Sequence, residues 1–129
     1  MKNTEKANLW FRRARSNFFR AKSIIDAPEI FYEDYCFDAQ QAVEKALKSL
    51  CISRNINFPK THNIDYLIEL LEKENINVPV EVKRAKILTD YAVETRYPEN
   101  LDTIDEEEYQ KAIEITENVL RWVEQKLME

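Results

Sequence analysis

The only histidine of the chain, His62, lies between Thr61 and Asn63 at the predicted start of a helix. A histidine can exchange protons near neutral pH or bind a metal ion. The additional His and Cys ligands of a metal site are missing at suitable spacing, so we expect no metal. Unpaired N–H groups and the helix dipole at a helix start attract anions. His62 is therefore interpreted either as a hydrogen-bonded residue of the helix cap or as a contact to a nucleotide or partner.

A second group of polar residues follows helical spacing after Asp38. At about 100° per residue, Gln40 falls at the edge of the apolar arc. Gln41, Lys45 and Lys48 are expected on the solvent side. Glu44 and Lys48 have the i,i+4 spacing of an ion pair. The charged residues form either a solvated helix face or a binding surface, whereas a glutamine at the core edge must find hydrogen-bond partners.

A third polar group, Arg96 and Tyr97, directly precedes Pro98. The proline pushes Tyr97 toward an extended conformation, so the helix is expected to end here. Arg96 is then placed to bond the last helix carbonyls. Its planar guanidinium is equally suited to a phosphate or a carboxylate.

The chain has no glycine, which excludes several common sites. Glycine supplies the positive φ angles of phosphate-binding loops, dinucleotide-binding turns and the nucleophile elbow of serine hydrolases. The polar chemistry must therefore come from side chains on helices and at their ends.

Composition indicates an ordinary globular protein, with 129 residues of which 44% are hydrophobic and 33% charged. This length fits a single domain over residues 1–129. No apolar run approaches the roughly 20 residues of a membrane span, and we expect no signal peptide at the N-terminus. We therefore expect a cytoplasmic protein with no membrane contact. Cys36 and Cys51 are expected to be unbridged core residues, because one helix would hold them roughly 22 Å apart.

Charge is unevenly distributed along the chain. Residues 1–25 carry seven basic residues and one acidic residue, a net charge of +6, whereas residues 99–129 carry ten acidic and three basic residues, a net charge of −7. Either two neighbouring helices of opposite charge pack together, or the basic segment faces RNA, a nucleotide or an acidic partner.

Apolar residues spaced alternately by four and three predict five helices. Their expected ranges are Thr4 to Ile25, Tyr32 to Ser53, Thr61 or Asn63 to about Leu71, Pro79 to just before Pro98, and Thr103 to the end. Thr103 and Glu106 form a predicted capping box. Because short loops favour antiparallel neighbours, we predict an all-α protein: an antiparallel up-and-down four-helix bundle with one additional short helix.

Three segments together resemble the HEPN-domain family over about residues 5–127. They are the segment 39–48, Pro59-Lys60-Thr61-His62, and Thr95-Arg96-Tyr97-Pro98. HEPN stands for higher eukaryotes and prokaryotes nucleotide-binding. The resemblance implies an antiparallel helical bundle, often dimeric, similar to the substrate-binding domain of kanamycin-type nucleotidyltransferases.

Many small proteins of this family are encoded beside a minimal nucleotidyltransferase and act with it, in several cases as a toxin and its antitoxin. The expected partners are therefore that enzyme, a nucleotide of the ATP or GTP type, RNA, and a second copy of the chain. No cofactor is expected. The predicted nucleotide- or partner-binding residues are Gln40, Gln41, Glu44, Lys45, Lys48, His62, Arg96 and Tyr97.

Other branches of the family are metal-independent ribonucleases, whose active site is an arginine followed four to six residues later by a histidine. Here Arg96 is followed at those positions by Asn100, Leu101 and Asp102. We therefore expect a binding protein without catalytic residues. A ribonuclease toxin and a structural dimerisation module are the alternatives.

Overall fold

The computed structural model describes residues 3–23, 31–92 and 104–129. Within these ranges the chain is helical, with no strand. Helices α1 to α5 span Asn3–Lys22, Tyr32–Ser53, Ile64–Lys73, Val80–Lys83 and Glu106–Leu127, and a 3₁₀ helix follows α4 over Arg84–Ala92. The predicted all-α bundle with an additional short helix is confirmed.

Helices α1 and α2 form the main antiparallel pair. The Asn3 side chain at the start of α1 bonds Asn55 just beyond α2, whereas Arg20 near the end of α1 bonds Asp38 in the first half of α2. Apolar residues spaced alternately by four and three along α1 are buried: Ala7, Phe11, Ala14, Phe18 and Ala21. Together with the broad buried arc of α2, they form one continuous core.

Helix α5 packs against both α1 and α2. The Tyr109 hydroxyl donates to the Ala21 carbonyl at 2.5 Å, which places the start of α5 beside the end of α1. At its other end, Arg54 donates to the Lys126 carbonyl at 3.2 Å. Helix α5 therefore runs antiparallel to α1 and in the same direction as α2. Burial, the largest effect, raises the pKa of Tyr109 to about 12, so this hydroxyl remains a donor.

Helices α2 and α3 end in the same way, although the chain has no glycine. Asn55 and Asn75 adopt positive φ angles of 60° and 63°. The following Ile56 and Ile76 donate back to the carbonyls of Cys51 and Leu71 at 2.9 and 3.1 Å. This is the Schellman arrangement, in which asparagine replaces the usual glycine, and a buried isoleucine follows in both cases.

Three predicted boundaries differ from the structure. Helix α1 ends at Lys22 rather than at Ile25. The expected fourth helix is α-helical for one turn only and then continues as the 3₁₀ helix. Its apolar residues Ala85, Leu88 and Tyr91 are spaced by three, and three residues per turn place them on one face. Helix α5 begins at Glu106 because the Asp105 carboxylate accepts from the Glu108 N–H at 2.8 Å. Aspartate is a strong N-cap residue. The predicted cap, Thr103, lies outside the described residues.

Candidate functional site

Gln40, Glu44 and Lys48 lie on one face of α2, four residues apart, and all three are buried. The side chains of Lys48 and Glu44 are only 9% and 5% exposed. The prediction that Lys48 lies on the solvent side was therefore wrong. The interpretation that Glu44 belongs to a solvated helix face was also wrong. Other parts of the chain cover this face of α2, which helical spacing alone does not reveal.

The Glu44 carboxylate is the centre of this polar cluster. Lys48 Nζ donates to its Oε1 at 2.6 Å, and Gln40 Nε2 donates to its Oε2 at 3.0 Å. Gln41, which is half-buried, donates to Gln40 Oε1 at 2.7 Å and to Glu44 Oε2 at 3.4 Å. A buried carboxylate is stable only when its charge is paired and its oxygens are hydrogen-bonded. Both conditions are met here.

His62 joins the cluster from the loop before α3. Its Nδ1 lies 3.0 Å from Glu44 Oε2 and 3.2 Å from Oε1, and its side chain is 70% exposed. An ionised carboxylate only accepts hydrogen bonds, so Nδ1 carries the proton and Nε2 is the ring nitrogen left to meet a ligand. The His62 carbonyl also accepts from Gln40 Nε2 at 3.3 Å, so Gln40 fixes this loop, as a core-edge glutamine should.

Two opposing effects act on the pKa of Glu44. Burial, the largest single effect, raises this pKa. The hydrogen bonds from Lys48, Gln40 and His62 together lower it by more, so the pKa of Glu44 lies below the ordinary value of 4.5. The carboxylate is therefore ionised near neutral pH and fixes the orientation of the His62 ring.

Two aromatic rings complete the cover over Lys48. Its ammonium lies 5.9 Å from the centre of the Trp10 ring and 5.7 Å from that of Phe58. The two rings meet edge to face, with centres 6.5 Å apart. Ring faces attract cations, so Trp10 and Phe58 stabilise the ammonium while excluding water.

Beside this cluster, an open cleft of about 280 Å³ lies between α1 and α2 and is lined by Leu9, Trp10, Arg13 and Lys45. Lys45 Nζ donates to Asn17 Oδ1 at 2.7 Å. Burial, followed by repulsion from Arg13, lowers the pKa of Lys45. The cleft thus places the flat indole of Trp10 beside two cations, Arg13 and Lys45, that repel each other.

The sequence left two alternatives for the N-cap of α3, Thr61 and Asn63. Asn63 is the N-cap, and its side chain accepts from the Tyr66 N–H at 3.1 Å. Thr61 supports it by accepting from the Asn63 N–H at 3.0 Å. His62 is therefore held between two capping residues, which frees its ring to reach Glu44.

Six of the eight predicted residues lie in the described parts of the chain, and the structure brings them close together. Gln40, Gln41, Glu44, Lys48 and His62 are connected by hydrogen bonds, and Lys45 lines the neighbouring cleft. Arg96 and Tyr97 lie outside the described residues, so their predicted role stays a prediction. Trp10 and Arg13 were not predicted as site residues. Their proximity to α2 is a tertiary feature, and the only hint in the sequence is an aromatic residue close to a basic pair.

Acidic residues of α5 lie near basic residues of α1, since one groove is lined by Arg15, Lys22, Glu117 and Glu124. Among the described residues, no ion pair joins these two helices, and the ion pair of α1 is Arg20 with Asp38 of α2. Charge attraction between α1 and α5 was one of the two interpretations of the uneven charge. Since α1 and α5 pack against each other, packing of oppositely charged helices and an outward-facing basic surface both stay predictions.

Three further features of the described ranges bear on function. No group of three or more His, Cys, Asp or Glu residues there is arranged to hold a metal ion. None of the helices described combines the length and the apolar character needed to cross a membrane. Cys36 and Cys51 are buried and form no disulfide, and burial raises the pKa of Cys51 to about 12. A thiol of this kind is a poor nucleophile at neutral pH.

Fold and site together define an all-α bundle whose second helix carries a buried polar cluster beside a cationic cleft. A family model described as the HEPN domain matches residues 7–126. The chain therefore belongs to the HEPN family, as the three sequence segments predicted.

Two solved structures are similar to this chain over nearly its whole length. TT1696 from Thermus thermophilus is 31% identical, with 94% of this chain and 98% of that chain covered and a TM-score of 0.75. ST0689, described as an archaeal HEPN homologue, is 25% identical, with coverages of 98% and 99% and a TM-score of 0.70. No curated protein matches the chain.

Proposed function

We propose that this HEPN protein binds a nucleotide of the ATP or GTP type in the cleft between α1 and α2, without catalysing a reaction on it. We further propose that it acts with a minimal nucleotidyltransferase, in a toxin–antitoxin type of pair, and that it forms a homodimer. The observation that carries the nucleotide proposal is the cleft itself, where Trp10 lies beside Arg13 and Lys45.

Each part of the cleft suits one part of a nucleotide. The indole of Trp10 offers a flat apolar face on which a purine can stack. Arg13 and Lys45 offer positive charge for the phosphates, and the arginine fork can bond two phosphate oxygens at once. The lowered pKa of Lys45 reflects burial and the nearby positive charge of Arg13. An anionic ligand between the two cations would relieve that repulsion.

The buried cluster supports the cleft rather than contacting the ligand. Glu44 and Lys48 form an ion pair, and the Lys48 ammonium lies against the Trp10 ring. They therefore fix the position of the indole and hold the His62 loop. Of the predicted binding residues described in the structure, Lys45 lines the cleft, whereas the half-buried Gln41 and the exposed His62 do not.

The test is binding of ATP and GTP by calorimetry and by thermal shift. A ligand present at about 100 times its Kd should stabilise the fold by about 2.7 kcal/mol. Arg13→Ala and Lys45→Ala should each weaken binding about tenfold, since hydrogen bonds to charged groups contribute about 1.5–3 kcal/mol. The matched control is Lys111→Ala, because Lys111 is an exposed lysine on α5. This variant should bind the nucleotide as tightly as the wild type.

Two results would count against the proposal. If saturating nucleotides leave the melting temperature unchanged, the nucleotide part fails. The partner part is tested separately by size-exclusion chromatography with light scattering. It requires a joint complex with a minimal nucleotidyltransferase encoded in an adjacent reading frame. A dimer that binds neither nucleotide nor enzyme would instead indicate a structural dimerisation module.

The contact between Glu44 and His62 supports a second candidate, a ribonuclease toxin. A carboxylate at Nδ1 orients an imidazole so that Nε2 can accept a proton, as general base catalysis requires. This candidate predicts RNA cleavage and growth arrest that His62→Ala abolishes while the protein stays folded. Wild-type protein that leaves RNA intact would eliminate it.

A further inference from the structure

A small polar notch lies where the start of α1, the end of α2 and the end of α5 meet. Its volume is about 120 Å³, less than half that of the cleft between α1 and α2, and the two share no lining residue. The polar residues that line the notch are Thr4, Asn8, Ser53, Arg54, Lys126 and Glu129. Pockets for drug-sized ligands measure about 300–1,000 Å³, so this notch suits only a small ion or a single chemical group.

Arg54 and Lys126 supply the positive charge of the notch, and both are held in place. The Arg54 guanidinium donates to the Lys126 carbonyl at 3.2 Å. The exposed fractions of the two side chains are 35% and 28%. Because most of each side chain is already packed, an anion that binds here has few rotamers to immobilise.

The carboxylate of Glu129 contacts both cations, but only loosely. Its Oε2 lies 3.5 Å from Arg54 Nη2, and its Oε1 lies 3.4 Å from Lys126 Nζ. Charge-assisted hydrogen bonds between N–H groups and carboxylates are about 2.7–2.9 Å long. The Glu129 side chain is also more than half exposed. The carboxylate therefore marks a position where an oxyanion meets two cations, without satisfying either cation fully.

The charges and donors of the notch exceed what one carboxylate can use. One carboxylate against two cations leaves a net positive charge. Thr4 and Asn8 are exposed, line the same notch and offer a hydroxyl and an amide as further donors. A planar carboxylate has only two oxygens, and here each of them faces one cation. A phosphate group carries additional oxygens, which Thr4 and Asn8 can reach from the side of α1.

We propose that this notch is a binding site for a phosphate-type oxyanion, which displaces the Glu129 carboxylate from Arg54 and Lys126. The arginine fork bonds two phosphate oxygens at once, and the lysine ammonium meets another. Glu129 then acts as a competitor built into the chain. This proposal does not depend on nucleotide binding in the cleft between α1 and α2.

The experiment titrates the protein with inorganic phosphate and follows amide chemical shifts by NMR. Constant ionic strength keeps general charge screening fixed. Glu129→Gln should bind phosphate more tightly than the wild type, by up to about fivefold, since an exposed ion pair contributes no more than that. Glu114→Gln is the matched control, because Glu114 is an exposed glutamate of α5 outside the notch and the change in charge is the same. It should bind phosphate like the wild type.

Substitution of the two cations tests the other half of the site. Arg54→Ala and Lys126→Ala should each weaken phosphate binding about tenfold, since hydrogen bonds to charged groups contribute that much. Arg121→Ala, which removes an exposed arginine of α5 outside the notch, should leave it unchanged. Circular dichroism melting checks that the variants fold. Because Arg54 also bonds the Lys126 carbonyl, Lys126→Ala decides the test if Arg54→Ala unfolds.

A titration with methyl phosphate identifies the source of the oxyanion. If methyl phosphate binds as tightly as inorganic phosphate, the ligand is the terminal phosphate of a larger molecule. If only inorganic phosphate binds, the ligand is the free ion. Both results support the site.

Two results would overturn this proposal. The first is Glu129→Gln binding phosphate no more tightly than Glu114→Gln, which would reduce the Glu129 contacts to a structural tie between helix ends. The second is phosphate binding that Lys126→Ala leaves unchanged. Arg13→Ala should bind phosphate normally while it weakens ATP binding, so failure of the notch is distinguishable from failure of the nucleotide proposal.

Discussion

Replacing Glu44 by glutamine tests the central feature of the site, a buried carboxylate shared by four side chains. The substitution keeps the shape of the side chain and removes its charge. Lys48, with only 9% of its side chain exposed, is then left without its partner 2.6 Å away. Since the other acceptors near Lys48 in the described structure are aromatic faces, its charge would be poorly compensated.

The expected loss of stability follows from two terms. At 2.6 Å and an effective dielectric constant of about 20, the attraction between the two charges is about 6 kcal/mol. Burying both charges costs several kcal/mol per ion, so the intact pair contributes little net stability. Removing one charge removes the attraction and leaves the cost of burying the other. We therefore expect Glu44→Gln to destabilise the protein by about 3–5 kcal/mol.

The measurement is urea unfolding followed by circular dichroism, with Glu117→Gln as the control. Glu117 forms an ion pair of the same i,i+4 spacing with Arg121, but both side chains are exposed. That pair should contribute no more than about 0.5 kcal/mol. A double variant, Glu44→Leu/Lys48→Met, should recover most of the loss, because apolar residues of similar size replace buried pairs well. If Glu44→Gln costs no more than Glu117→Gln, the cluster is not the buried network described above.

The remaining predictions concern pH and the helix ends. Because the pKa of Glu44 is lowered in the folded state, its stabilisation is complete above the ordinary value of 4.5 and is lost as pH falls toward the lower folded value. Over that pH window, the unfolding free energy of the wild type should fall more steeply than that of Glu44→Gln, by up to about 1.4 kcal/mol per pH unit. Equal slopes for the two proteins would contradict the assignment. At the helix ends, Asn55→Ala and Asn75→Ala should each cost about 1 kcal/mol, because alanine tolerates positive φ poorly. Asn57→Ala, at an exposed position without positive φ, should change the midpoint of urea unfolding very little.

Much of the fold could be predicted from the spacing of apolar residues. Helix α2 spans Tyr32–Ser53, the range predicted, because a long helix with one broad apolar arc has no competing arrangement. The cysteines were expected in the core and are buried there. Predictions were less accurate at helix ends, where one residue decides the boundary. Asp105 caps α5 in place of the expected Thr103, and the fourth helix tightens into a 3₁₀ helix.

The pairing of Glu44 with Lys48 was predictable from the sequence, but the arrangement around that pair was not. Helical spacing places Glu44 and Lys48 next to each other, and that pair is present. It does not show that Trp10 and Phe58, distant in sequence, cover the lysine and bury the pair. The contact of His62 with Glu44 likewise spans 18 residues and depends on the path of the loop before α3.

The sequence by itself determined the helices, their buried faces and the family, because those depend on residues a few positions apart. Only the tertiary structure decided which charges are buried and which surfaces are open. Whether a polar residue on a helix is solvated depends on what packs over it, and here that cover comes from another helix and a loop. For the same reason, the cationic cleft beside Trp10 exists only once α1 has packed against α2.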